Sequence, residues 1–165
     1  MTAVNFSISS PQLGSPKPFQ CRDLLPDRPH TVWQIDRGIV RTLTWDDRGN
    51  ITTLGFWGEG HTIGQPLSQM YPFEMQCLTP VQVRQLPIVY LLEDTNLQSK
   101  LVEQLALIES LLVITHYKST VDRLMGLLEW LAKRFGRDAP QGRWVRLRLT
   151  HQEIAETIGA SRVTV

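Results

Sequence analysis

Thr150 and Glu153 stand three apart just ahead of an apolar run, the spacing of a capping box, so a helix is expected to begin immediately after Thr150. Ile154, Ala155 and Ile158 give that helix one apolar face. Gly159 supplies the permissive backbone that stops it, and Ser161 can cap a second helix running Arg162-Val163-Thr164-Val165 and onward. Helix, three-residue turn, helix is the helix-turn-helix plan, whose second helix lies in the DNA major groove. The chemistry on offer is recognition. Arg162 has the fork that reads guanine bidentately, and Ser161 and Thr164 are small hydroxyl side chains able to donate to phosphates. The same pattern also fits an ordinary helical hairpin with a glycine stop.

Other chemistries find less support. The chain has two cysteines, Cys21 and Cys77, far apart and without metal-ligand spacing, whereas an iron–sulfur sensor needs about four cysteine ligands. His30, His61, His116 and His151 are scattered, so no metalloenzyme cluster is expected, and His61 or Cys77 as a haem ligand has nothing beside it. No Ser/His/Asp set, phosphate loop or paired carboxylates stand out; the chain reads as a non-enzyme with no cofactor and no metal. Net charge is +1, yet residues 133–165 hold seven basic and three acidic residues, a surplus of +4 that leaves −3 for the remainder. A basic end beside a mildly acidic body suits a phosphate-contacting module on a sensor, and equally a solvated surface.

These residues need elements to position them. At 165 residues and 42% hydrophobic, the chain can form one or two small domains. Residues 105–115 are the longest apolar-rich stretch, but Glu109 and Ser110 interrupt them, so no membrane span is expected, and the start lacks a secretory signal; the expected location is the cytoplasm. Residues 1–29 are proline-rich and poorly patterned, an arm. Short runs rich in β-branched and aromatic residues follow at 32–35, 39–45, 51–57, 75–78 and 81–86, divided by glycine turns, which argues for an antiparallel roll or barrel. Then Leu97, Leu101, Leu105, Ile108, Leu112 and Thr115 recur at spacings of four and three, a heptad-like seam. Val102, Leu107, Leu111 and Ile114 form a second stripe. A helix apolar on two sides needs two partners: the roll, and most simply the same helix of a second subunit. Residues 122–136 read as another amphipathic helix ended by Gly136, residues 137–142 as a polar connector, and residues 144–149 as a short strand.

From about Val32 onward, and most closely from Asp122, the chain resembles the Crp/Fnr family of bacterial transcription regulators, above all in LTHQEIAETIGASRVTV. The resemblance implies an α+β fold: an N-terminal antiparallel β-roll of the cyclic-nucleotide-binding, jelly-roll type, a long dimerisation helix, and a C-terminal winged helix-turn-helix. It divides the chain into an arm (1–29), an effector-type roll (30–96), a dimerisation helix (97–119) and a DNA-binding winged-helix domain (120–165), incomplete because the chain stops one turn into the recognition helix. It further implies a homodimer on a palindromic double-stranded site, acting with RNA polymerase, with Thr150, Gln152, Ser161, Arg162, Val163 and Thr164 on DNA. Val163 departs from members that place glutamate beside the arginine. That variation is similar to the cyanobacterial nitrogen-control branch and points to a GTA…TAC site.

The family's effector cassette corresponds to Gly64, Gln65 and Leu67, with Cys77 beyond it. Cyclic-AMP receptors use a glutamate and an arginine there. Here the glutamate position is Gln65, and no arginine lies between Arg48 and Arg84. A buried phosphate without a cation is costly, so any effector is expected to be something other than cyclic AMP. A dimeric sensor or interaction module without DNA binding is the alternative reading.

Overall fold

The computed structural model describes residues 14–161; Arg162, Val163 and Thr164 therefore lie outside the described residues. The β-rich runs fold as two antiparallel sheets packed face to face. One has the order β1-β7-β2-β5, from Lys17–Phe19, Val81–Pro87, Thr31–Arg37 and Thr62–Ile63; the other has the order β4-β3-β6, from Ile51–Trp57, Val40–Trp45 and Glu74–Cys77. Alternation along the strands turns Trp33, Ile35, Val40, Met75, Cys77, Val81 and Val83 into a shared core, each at most 2% exposed. Gly38 turns β2 into β3 at φ +97°, where a Cβ would lie 2.5 Å from the Pro80 carbonyl oxygen, so glycine is obligatory. This is the expected roll.

The arm is a correction. Residues 14–29 are strapped to the roll rather than loose: Lys17–Phe19 pairs with β7, Leu24 bridges Gln76, and Leu25 is 3% exposed. Trp33 Nε1 donates to the Pro26 carbonyl at 3.0 Å. Prolines mark such a segment as turn-rich, but they tolerate an edge strand, and the edge of β7 supplied one.

A short helix α1 (Val89–Glu93) leads to α2 (Leu97–Thr115) and α3 (Thr120–Phe135), the latter capped by Ser119 Oγ accepting from the Asp122 N–H at 3.0 Å. Residues 136–145 differ from the expected connector and strand. They form a hairpin, β8 (Gly136–Ala139) with β9 (Gly142–Val145), because Gly142 at φ +124° closes a tight turn. Beyond Val145 the predicted alternation persists without a ladder: Leu147 and Leu149 pack inward while Arg146 and Arg148 face out, but no strand among the described residues pairs with them. The last described helix is α4 (His151–Ile158). A second core joins everything: Phe56 and Leu78 of the roll, Leu111 and Ile114 of α2, Leu127 and Leu131 of α3, and Ile158 of α4.

Candidate nucleic-acid interface

The start of α4 is fixed as the spacing predicts. Thr150 Oγ1 accepts from the Glu153 N–H at 3.2 Å, and Glu153 Oε2 accepts from the Thr150 N–H at 2.7 Å, completing the capping box. Gly159 ends the helix in the left-handed region at φ 62°, and the Ala160 N–H donates back to the Ala155 carbonyl at 2.9 Å. Ala155 and Ile158 are 1% and 0% exposed, and Ile158 packs with Leu127 and Leu131 of α3, so the turn is anchored by packing as well as by caps. The chain leaving Gly159 thus starts from a defined point. Ser161 is exposed.

Of the candidate DNA-contacting residues, Thr150, Gln152 and Ser161 are all exposed. Gln152 Nε2 donates to Glu156 Oε1 at 2.9 Å. The flanking surface is cationic: Arg143, Arg146 and Arg148 are exposed, with Arg143 drawn to Asp138 at 3.3 Å.

The face of α4 turned toward the roll carries contacts that the sequence reading missed. Arg41 of β3 donates from Nη2 to Glu156 Oε2 at 2.6 Å, and from Nε to Thr53 Oγ1 at 2.9 Å. Thr53 lies 2.9 Å from Thr157 Oγ1, and Arg22 pairs with Glu153. Burial lowers the Arg41 guanidinium below its ordinary value, and the bond and charge of Glu156 act against that. Arg22 holds a left-handed backbone, φ 78°, at the tight turn that aims it. A single charge inside an otherwise uncharged strand was the available signal for Arg41; Arg22 left none.

The candidate effector residues do not converge. Leu67 lines a groove of about 220 Å³ with His61, Lys100, Leu101, Glu103 and Gln104, at the junction of the roll and the first turns of α2. Gly64 precedes a short 3-10 turn at Gln65–Leu67. Gln65 folds back on that turn, its amide donating to the Ser68 and Met70 carbonyls at 3.3 and 3.1 Å. Cys77 is instead in the sheet core, 0% exposed, and burial pushes its thiol up to about 12. Lys100, the groove's cation, is paired with Asp94 at 2.5 Å.

The candidate dimer face splits similarly. Leu101, Leu105, Ile108 and Leu112 are 44–56% exposed along one side of α2, while Leu107, Leu111 and Ile114 of the other side meet the roll and α3. Leu97 instead packs on the cluster of Val32, Leu86 and Leu91, and the Thr115 hydroxyl donates to its own helix at Leu112 O, 2.7 Å. Val102, expected on the inner stripe, is 62% exposed. Among the described residues no helix is long and apolar enough to cross a membrane.

Comparison with known proteins agrees with this geometry. The family described as bacterial regulatory proteins, crp family, matches residues 147–165. The chain is 40% identical over 148 residues to the regulatory protein CysR of Synechococcus elongatus, across 87% of this chain and 69% of that protein. It is 34% identical over 154 residues to the global nitrogen regulator of the same organism, across 84% of this chain and 68% of that protein. Among solved structures, a CRP-family transcriptional regulator from Thermus thermophilus superposes with a TM-score of 0.74 at 20% identity, covering 89% of this chain and 78% of that one.

Proposed function

The chain belongs to the Crp family of bacterial regulatory proteins and is a DNA-binding transcription regulator, and on that premise we propose that it works as a homodimer reading a two-fold symmetric duplex site. The observation that carries this reading is the capped α4 stopped by a left-handed Gly159, which leads directly into Ser161 and Arg162. Arg162 is assigned to a bidentate guanine contact, with Val163 packing on a thymine methyl, Ser161 and Thr164 on phosphates, and Thr150 and Gln152 against the backbone beside α4. The exposed row Leu101, Leu105, Ile108 and Leu112 would pair with itself across the dimer axis, with Leu97 and Thr115 at its ends.

Any effector of the roll is assigned to something other than cyclic AMP. Gln65 spends its amide donors on its own turn, and Lys100 is already neutralised by Asp94. A cytoplasmic location, action with RNA polymerase and the lack of enzymatic activity follow from the same reading. The relatives named nitrogen and CysR regulators make a GTA…TAC duplex the site to try first.

The test is binding of that duplex by the protein and by Arg162→Ala across salt concentrations. A bidentate base contact is worth about 1–3 kcal/mol, and the dimer loses two of them, so the variant should bind at least roughly 30-fold more weakly and lose discrimination at one base pair per half-site. Affinity should fall steeply with salt. Binding by Arg162→Ala with unchanged sequence preference would defeat the assignment.

A further inference from the structure

Arg41 is the second residue of β3 and carries a charge that normally faces water, yet it is 1% exposed. Its fork is divided between two parts of the molecule. Nε donates to Thr53 of the neighbouring strand at 2.9 Å, and Nη2 donates to Glu156 of α4 at 2.6 Å. The link continues: Thr53 and Thr157 hydroxyls lie 2.9 Å apart, and Thr157 Oγ1 donates to the Glu153 carbonyl at 2.7 Å. Since Thr53 already accepts from Arg41, one consistent arrangement of protons runs Arg41 to Thr53 to Thr157 to Glu153. Arg22 closes the seat on the Glu153 carboxylate and donates to the Arg148 carbonyl at 3.2 Å. Three roll residues thereby grip one side of the helix-turn-helix.

The face they grip adjoins the residues that stay exposed. Glu153 and Thr157 are buried in the seat, whereas Thr150, Gln152 and Ser161 remain exposed. Glu156 connects the two sides, because one carboxylate oxygen accepts from Arg41 and the other accepts from Gln152 at 2.9 Å. We propose that Arg41 is a positioning residue for DNA reading: by holding Glu156, and through it Gln152, it sets the orientation in which α4 and the segment after Gly159 meet the duplex. This rests on the reading of that segment as the DNA-binding head.

The physical reason lies in directionality. The Arg41 and Glu156 side chains are 2% and 9% exposed, so any head orientation that separates them strands a poorly hydrated charge. Apolar contacts tolerate sliding; this pair does not. Lysine could reach Glu156 but lacks the fork that holds Thr53 at the same time.

The experiment compares the protein with Arg41→Met, Arg41→Lys, Glu156→Gln and the reversed pair Arg41→Glu with Glu156→Arg. Two quantities are read: hydrogen exchange of the α4 amides without DNA, and affinity for the symmetric duplex, corrected for the folded fraction from thermal melts. If the seated fraction of each head falls to about a tenth, the dimer with both heads seated falls to about a hundredth, and the single variants bind about a hundredfold more weakly, because apparent affinity scales with the competent population. They should also exchange faster in α4, with Arg41→Lys intermediate and the reversed pair recovering part of both losses. Unchanged exchange and unchanged affinity in both Arg41→Met and Glu156→Gln would overturn the proposal, as would a loss fully accounted for by unfolding. Should the unaltered protein bind no DNA, the reading of the head fails while the exchange arm still decides the seat: faster α4 exchange upholds it, and no change overturns it.

Discussion

The exposed row on α2 makes the proposed dimer quantitatively testable through Leu105→Glu. Leu101, Leu105, Ile108 and Leu112 are each about half exposed in the single chain. Covering that remaining surface is worth about 1–1.5 kcal/mol per residue, and two-fold symmetry counts every residue twice, so the row contributes roughly 8–12 kcal/mol. Leu105→Glu removes about 2–3 kcal/mol of burial over the two copies and brings two carboxylates toward each other in a desolvated seam, at several kcal/mol more. The total, about 5–6 kcal/mol, is roughly four orders of magnitude in the dimer Kd. Sedimentation velocity at about 1–10 μM should show a dimer for the unaltered protein and a monomer for Leu105→Glu. Leu92→Glu, on α1 at a position 78% exposed, should remain dimeric. A Leu105→Glu protein that sediments as a dimer throughout this range would refute the assignment of the seam.

Two further outcomes rest on the environments of single side chains. Cys21 is exposed, whereas Cys77 is buried with its thiol pushed up to about 12, so alkylation at pH 8 should add one label per native chain and two after denaturation. Mass spectrometry reads the count directly, and native labelling of Cys77 at the rate of Cys21 would mean that the sheet core is not packed as described. His61 is held below its ordinary value of 6.5 by burial first and by the charge of Arg134 second, with the Gly58 carbonyl and Glu103 acting the other way. The unfolded chain therefore takes up a proton that the folded chain withholds. Stability is full above pH 6.5 and declines as pH falls below it toward the depressed folded value. Denaturant midpoints at pH 7 and pH 5 should differ less for His61→Gln than for the unaltered protein; an equal difference in both would remove His61 as the source.

Periodicity made the roll strands and the three longer helices legible, because burial of alternate or every third to fourth residue leaves its mark in the chain itself. The capping box and Gly159 were legible for a similar reason: local backbone chemistry is written within a few residues. What escaped depended on partners distant in sequence. The strand Lys17–Phe19 exists only because β7 offers an open edge far along the chain, where Lys17 pairs with Val83 and Phe19 with Val81. Leu147 and Leu149 carry a correct alternation with no described strand to pair with, so a strand pattern yields an extended segment. The cassette correspondence named Cys77 and Gln65 as pocket residues, but a position in a cassette does not decide which way a side chain points. Pleating turned Cys77 inward, and the nearby carbonyls of Ser68 and Met70 drew Gln65 back onto its own turn. Arg22 and Arg41 escaped most completely, since their partners are 131 and 115 residues away.

The second core and the polar seat divide the work of placing α4. Ile158 is fully buried among Leu127 and Leu131 of α3, with Ile114 of α2 and Phe56 of the roll in the same cluster. Such a cluster supplies most of the cohesion, about 1.5–3 kcal/mol for each large side chain buried, but the attraction is nearly indifferent to small rotations. A head held by that cluster alone would be attached without being aimed. The charged pair at Arg41 and Glu156 has the opposite character: its desolvation consumes much of its own attraction, so it adds little to net stability, yet it is satisfied in one orientation. Because Ile114 belongs to the helix whose outer face carries the proposed dimer row, any shift of α2 against its partner reaches Ile158 through shared packing. The seat on the roll then resists that shift with a steep, directional term. On the proposed reading, α2 and the roll both bear on the orientation of the reading head, and Glu156 is the position through which the roll does so.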